Sequence, residues 1–101
     1  MKNIVITFSS LVLLASASIA NAGDAAEGKK ISTVCASCHG AEGTSAIGMF
    51  PNLAGQHAEY LESALKQYRD GDRENAMMTP MAAGFSDDDI ANLAAYFSSK
   101  K

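Results

Sequence analysis

Five consecutive residues, Cys35-Ala36-Ser37-Cys38-His39, concentrate most of the chemistry this chain can do. C-x-x-C-H is the attachment pattern for c-type haem. Two thiols separated by two residues can reach the two vinyl groups of one porphyrin edge, and the adjoining imidazole then lies beneath the iron as its proximal ligand. Three other uses of the same residue types compete. A thioredoxin-like dithiol also reads C-x-x-C, but it follows a strand in a βαβ setting, and no strand alternation precedes Cys35. A structural zinc site takes four protein ligands. The Cys and His residues are Cys35, Cys38, His39 and His57, and the vicinal pair Cys38-His39 is badly arranged to join one tetrahedron. A plain disulfide between the cysteines is the third competitor.

A haem iron held by histidine either takes a sixth ligand or stays open. Methionine paired with histidine is one such ligation and raises the reduction potential. Beyond the N-terminal stretch the methionines are Met49, Met77, Met78 and Met81. Each is also an ordinary core filler. Met49 stands near the proximal side in sequence, whereas the 77–81 group precedes the last helical pattern, where the chain can cross the other haem face. Spacing alone does not separate Met77, Met78 and Met81. His57, beside polar Gln56 and Glu59, reads as a surface histidine rather than a rival ligand. A proximal histidine usually donates its second ring proton to a carbonyl or carboxylate. A rigid Phe50-Pro51 turn could present such a carbonyl, or Pro51 could merely shape the loop.

The elements that must position these groups read as helical. Asp24 caps a helix over about 25–38, with Glu27 in place for a capping box and Ile31, Val34 and Cys35 on one side. Residues 41–56 are rich in Gly, Ser and Ala and read as loop, yet Ile47, Met49, Phe50 and Leu53 make it more apolar than a solvated loop requires. A helix follows over 58–70, with Leu61, Ala64, Leu65 and Tyr68 as its apolar stripe. Residues 73–85 read as a second loop. Ser86 and Asp89 form the capping box of a final helix whose stripe is Ile90, Leu93, Ala94 and Phe97. Tyr60, Tyr68, Tyr96 and Phe97 read as packing aromatics between helices and against the macrocycle.

Residues 1–22 differ from everything after them. Lys2 begins an apolar run that ends in Ala20-Asn21-Ala22, the pattern of a cleaved secretory signal. The expected mature domain is 23–101, with periplasmic location and no membrane insertion after cleavage. It keeps 7 Lys+Arg against 11 Asp+Glu, a net charge of −4. That balance excludes a phosphate-tracking nucleic-acid binder and suits partners with basic docking patches. A domain of this size buries too little apolar surface to be comfortably stable alone, and two nearby cysteines staple little. Something else is expected to fill the core.

With these stretches in view, the chain resembles the class I monohaem cytochromes c of bacteria, above all the short periplasmic group with cytochromes c553 and c5 and single domains of the dihaem c4 type. The resemblance runs through Gly28-Lys29-Lys30, CASCHG at 35–40, FPNLAGQ at 50–56, MMTPM at 77–81 and FSDDDIANLAAYFSS at 85–99. It implies a small all-α cytochrome c fold of three to four helices wrapped around one haem c. Cys35 and Cys38 would be its thioether anchors and His39 its proximal ligand. Met78 would be the second axial ligand, eight residues before Ser86, with Met81 packing nearby. The resemblance also favours Pro51 as the carbonyl partner of His39, and packing of first on last helix through Gly28, Ile31, Leu93 and Tyr96. One haem motif corresponds to one of the two c4 domains.

The function so implied is not enzymatic. It is single-electron carriage, with iron cycling between Fe(III) and Fe(II) during transient docking to donor and acceptor redox proteins. The rivals are a haem enzyme or gas-binding module with open iron, an exported dithiol module without haem, and a dedicated haem subunit of a larger redox complex.

Overall fold

The computed structural model describes residues 23–101; the leader expected over 1–22 lies outside the described residues. The chain forms helices α1 (Ala25–Ile31), α2 (Thr33–His39), α3 (Ala58–Asp70), α4 (Met78–Ala82) and α5 (Asp87–Ser98). No strand occurs among the described residues. The all-α expectation holds. Counting α1 and α2 as one interrupted helix gives four helical units.

The interruption has a local cause. Ser32 donates its hydroxyl back to the Lys29 carbonyl at 2.8 Å, and its N–H is shared between Gly28 O at 2.9 Å and Lys29 O at 3.3 Å. This three-residue hydrogen bonding tightens the turn and separates the two helices. The capping box expected at α1 forms only in half. Asp24 accepts from the N–H groups of Ala26 and Glu27, but its own N–H goes to Asn92 Oδ1 at 2.8 Å, while Glu27 pairs with Lys30 at 2.8 Å. A tertiary partner has replaced the local one.

At α5 the box is complete: Ser86 Oγ accepts from Asp89 N–H at 3.0 Å and Ser86 N–H donates to Asp89 Oδ2 at 3.1 Å. This helix is the core. Ile90, Leu93, Ala94, Tyr96 and Phe97 are buried along it, each large apolar side chain contributing about 1.5–3 kcal/mol by leaving water. One side of α5 packs on α1 and another on α3, and α4 packs on α3. Gly28 is buried against the Asn92 carbonyl and Tyr96 Cβ, where a side chain has no room.

α3 has the expected bounds. It stops at Gly71, whose φ of 84° is the left-handed cap that glycine adopts without strain. Arg69 then joins the end of α3 to the start of α5, donating to Asp87 at 2.7 Å and the Phe85 carbonyl at 3.2 Å.

The 73–85 segment is not all loop, since α4 lies within it. Asn75 Oδ1 accepts from the N–H groups of Met77 and Met78, both at 2.9 Å, and its own N–H donates to Thr79 Oγ1 at 2.9 Å. A side-chain cap therefore starts a helical turn at the methionines. The 40–57 segment is loop, as its composition predicts. It folds back on itself because Gly43 O accepts from Leu53 N–H at 2.7 Å and Ala54 N–H at 3.1 Å.

Candidate functional site

α2, α3, α4 and the two long loops leave a cleft of about 270 Å³ between them. Leu93 and Phe97 of α5 and Ala64 and Leu65 of α3 give it an apolar interior. Six large hydrophobic side chains of the described chain are exposed, namely Val34, Ile47, Met49, Tyr60, Met77 and Met81. All but Ile47 line this cleft. A small protein rarely concentrates its exposed apolar groups at one place without a partner for them.

Cys35, Cys38 and His39, carried by α2, all line the cleft. Both cysteines are free thiols. Burial, and secondarily the neighbouring Cys38, push the Cys35 thiol pKa up. His39 is 6% exposed, and its Nδ1 lies 2.8 Å from the Pro51 carbonyl. A carbonyl only accepts, so Nδ1 carries the proton and Nε2 presents its lone pair. The Phe50 ring stands edge-on to the imidazole, with centroids 6.3 Å apart.

The loop holding that carbonyl is fastened at both sides. Ser45 N–H donates to Asn52 Oδ1 at 2.7 Å, and Ser45 Oγ donates to Ile47 O at 2.7 Å with a longer approach of 3.3 Å to Cys38 O. Sequence reasoning missed this clasp, because single Ser and Asn residues in a polar loop carry no distinguishing pattern.

Met49, Met77, Met78 and Met81 all line the same cleft. Met49, Met77 and Met81 are 74%, 51% and 42% exposed, whereas Met78 is half-buried at the start of α4. His57 is exposed, caps α3 and does not line the cleft. The aromatics divide into two groups. Tyr96 and Phe97 are buried and pack edge to face at 5.0 Å, whereas Tyr60 is 50% exposed and lines the cleft with Tyr68. Arg73 and Asn75 also line it. Neither was singled out by sequence, though Asn75 before a methionine run is readable as a cap.

The residues present suit a haem. Two free thiols, an imidazole with Nε2 available and several thioethers share one apolar cleft that the chain does not fill with its own side chains. A helical shell built in this way defines a protein that holds haem covalently through C-x-x-C-H.

Residues 25–101 match the family model for cytochrome c, and the chain belongs to that family, whose domains bind covalently attached haem c. It is 53% identical over 83 residues to cytochrome c-554(548) of Halomonas halodenitrificans, covering 79% of this chain and 100% of that one. It is 43% identical over 82 residues to the thiosulfate dehydrogenase electron acceptor of Stutzerimonas stutzeri, covering 70% of this chain and 38% of that one. Among solved structures, reduced recombinant cytochrome c4 from Pseudomonas stutzeri superposes with a TM-score of 0.76 at 40% identity. That match covers 79% of this chain and 47% of the other, so the chain spans about half of that cytochrome c4.

Proposed function

We propose that this cytochrome c is a soluble periplasmic one-electron carrier, shuttling between a donor and an acceptor redox protein. The observation that carries the reading is the single cleft shared by Cys35, Cys38, His39 and Met78, with the His39 ring already fixed by the Pro51 carbonyl at 2.8 Å. When bound, the haem supplies a one-electron Fe(III)/Fe(II) couple. Every other contribution comes from the chain. Cys35 and Cys38 would anchor the macrocycle through two thioethers, each S–H adding across one vinyl group. His39 would hold the iron through Nε2, its ring oriented by the hydrogen bond from Nδ1 to the Pro51 carbonyl. Met78 would supply the second protein ligand to the iron through its sulfur, from the start of α4, where its N–H donates to Asn75 Oδ1. Leu65, Leu93 and Phe97 keep water from the interior of the cleft, which limits solvent rearrangement as charge changes.

With His39 and Met78 both holding the iron, this reading would leave no open site for bond-making chemistry, and the protein would serve as carrier rather than enzyme. No helix among the described residues is long and apolar enough to cross a membrane. Taken with the leader pattern of residues 1–22, this supports release of 23–101 into the periplasm. The relative named as an electron acceptor for a dehydrogenase supports transient docking to redox enzymes, and the acidic mature charge favours a basic docking face on the partner.

The test is the visible spectrum of protein matured with its leader in a cell competent for cytochrome c assembly, compared with Met77→Ala, Met78→Ala and Met81→Ala. A low-spin c-type spectrum with a weak long-wavelength iron–sulphur band, lost only in Met78→Ala, supports the assignment. Survival of that band in Met78→Ala transfers the ligand to another methionine. High-spin iron in the wild type favours a sensor or enzyme, and absence of haem rejects electron carriage altogether.

A further inference from the structure

Twenty-one residues line the cleft, and Arg73 is the single charged side chain of Asp, Glu, Lys or Arg type among them. Its surroundings differ from those of Arg69, four residues earlier and still on α3. Arg69 is committed: it bonds Asp70 at 2.9 Å, Asp87 at 2.7 Å and the Phe85 carbonyl. Among the described residues, no carboxylate lies within ion-pair distance of Arg73. Its guanidinium instead lies over the Tyr68 ring, 4.7 Å from the centroid, and its backbone N–H is tied to the Gln67 carbonyl at 3.1 Å. The Tyr60 hydroxyl and the Tyr68 phenol hold its pKa above the usual guanidinium value. Both tyrosines line the cleft as well. The cation is therefore braced at the cleft by aromatic groups that leave its charge unneutralised.

A haem brings two carboxylates into this otherwise uncharged lining. Its ring is apolar and its propionates are anionic, so the group can be buried cheaply only if the carboxylates meet water or a cation. Guanidinium is the side chain best suited to that task, because its fork matches a carboxylate and its stacked plane resists collapse.

We propose that Arg73 is the counter-charge for a haem propionate and a positioning residue that raises the reduction potential. The inference rests on the electron-carrier reading above and adds to it the residue that tunes the couple. A fixed positive charge beside the cofactor disfavours the more positive, oxidised state. Pairing with a propionate also removes part of the negative charge that would otherwise stabilise that state.

The experiment compares the holoprotein with Arg73→Met, which keeps an apolar stem over Tyr68, and Arg73→Lys, which keeps the charge. Haem attachment and the iron–sulphur band are recorded first, and the potential is then measured by redox titration at low and high salt. Arg73→Met is expected to shift the equilibrium constant against reduction by about threefold to tenfold, at most ~59 mV for a one-electron couple. Arg73→Lys should recover most of this difference, and salt should shrink the gap between wild type and Arg73→Met. Equal potentials in wild type and Arg73→Met overturn the proposal while leaving electron carriage intact. A loss that Arg73→Lys does not repair also overturns it, because packing on Tyr68 would then be the whole role. A wild type without haem instead rejects the reading beneath it.

Discussion

Gly28 and Asn92 meet without any side chain between them: the α carbon of Gly28 lies against the Asn92 carbonyl, so α1 and α5 pack backbone to backbone. Tyr96 Cβ closes the same gap. Gly28→Ala therefore forces the helices apart, although alanine is the better helix former. The expected loss is about 2–3 kcal/mol, at the upper end of overpacking costs. Chemical denaturation of the holoprotein measures it, and a loss below a few tenths of that would mean the helices slide freely.

Asn52 tests the clasp on the proximal side. Asn52→Ala removes the acceptor for Ser45 N–H, an interaction worth about 1 kcal/mol. More telling is the His39 Nδ1 proton, which is held by the adjoining Pro51 carbonyl. Its exchange with solvent, followed by NMR, should quicken in Asn52→Ala and return toward the wild-type rate in Asn52→Asp, which keeps the acceptor oxygen. Unchanged exchange would make the loop rigid without the clasp.

Asp87 gives the chain an acid-sensitive joint. The hydrogen bond from Arg69, then its charge and that of Lys66, lower the Asp87 pKa. A carboxyl with a depressed folded pKa stabilises the fold above its unfolded value of about 3.9, and the contribution fades as pH falls through the lower folded value. Asp87→Asn should thus be less stable than wild type near neutral pH, and the two should converge below about pH 3.9. The solvent-exposed position keeps the difference small. Parallel denaturation curves at several pH values check it, and a constant gap down to strong acid would contradict the assignment.

Much of this architecture was legible because its signals are local. Ser86 and Asp89 announce α5, Gly71 ends α3, and C-x-x-C-H needs no tertiary context to be noticed. The failures occur where a distant group outbids a near one. Asp24 gave a capping box on paper, but its N–H found Asn92, 68 positions away, instead of Glu27. Ser32 interrupts a helix whose apolar spacing runs on past it. Asn75 turns a methionine loop into α4 through one side-chain oxygen. Cys35, Cys38, His39 and Pro51 were singled out by motif and resemblance and share one cleft, whereas Arg73 became visible only when Tyr68 and that cleft were in view. A lone arginine after a glycine has no periodicity to betray it.

The attachment of Asp24 and Gly28 to Asn92 also sets an order of assembly. The first helix of the described residues has its principal partner in the last, and closing so long an intervening segment costs entropy that no local contact repays. Until α5 is in place α1 lacks that partner, and α2, with its two cysteines, follows directly from an undocked helix. The segment that carries the attachment motif is thus held in its final place by a contact between the first and last helices of residues 23–101, and it tightens only when those two meet.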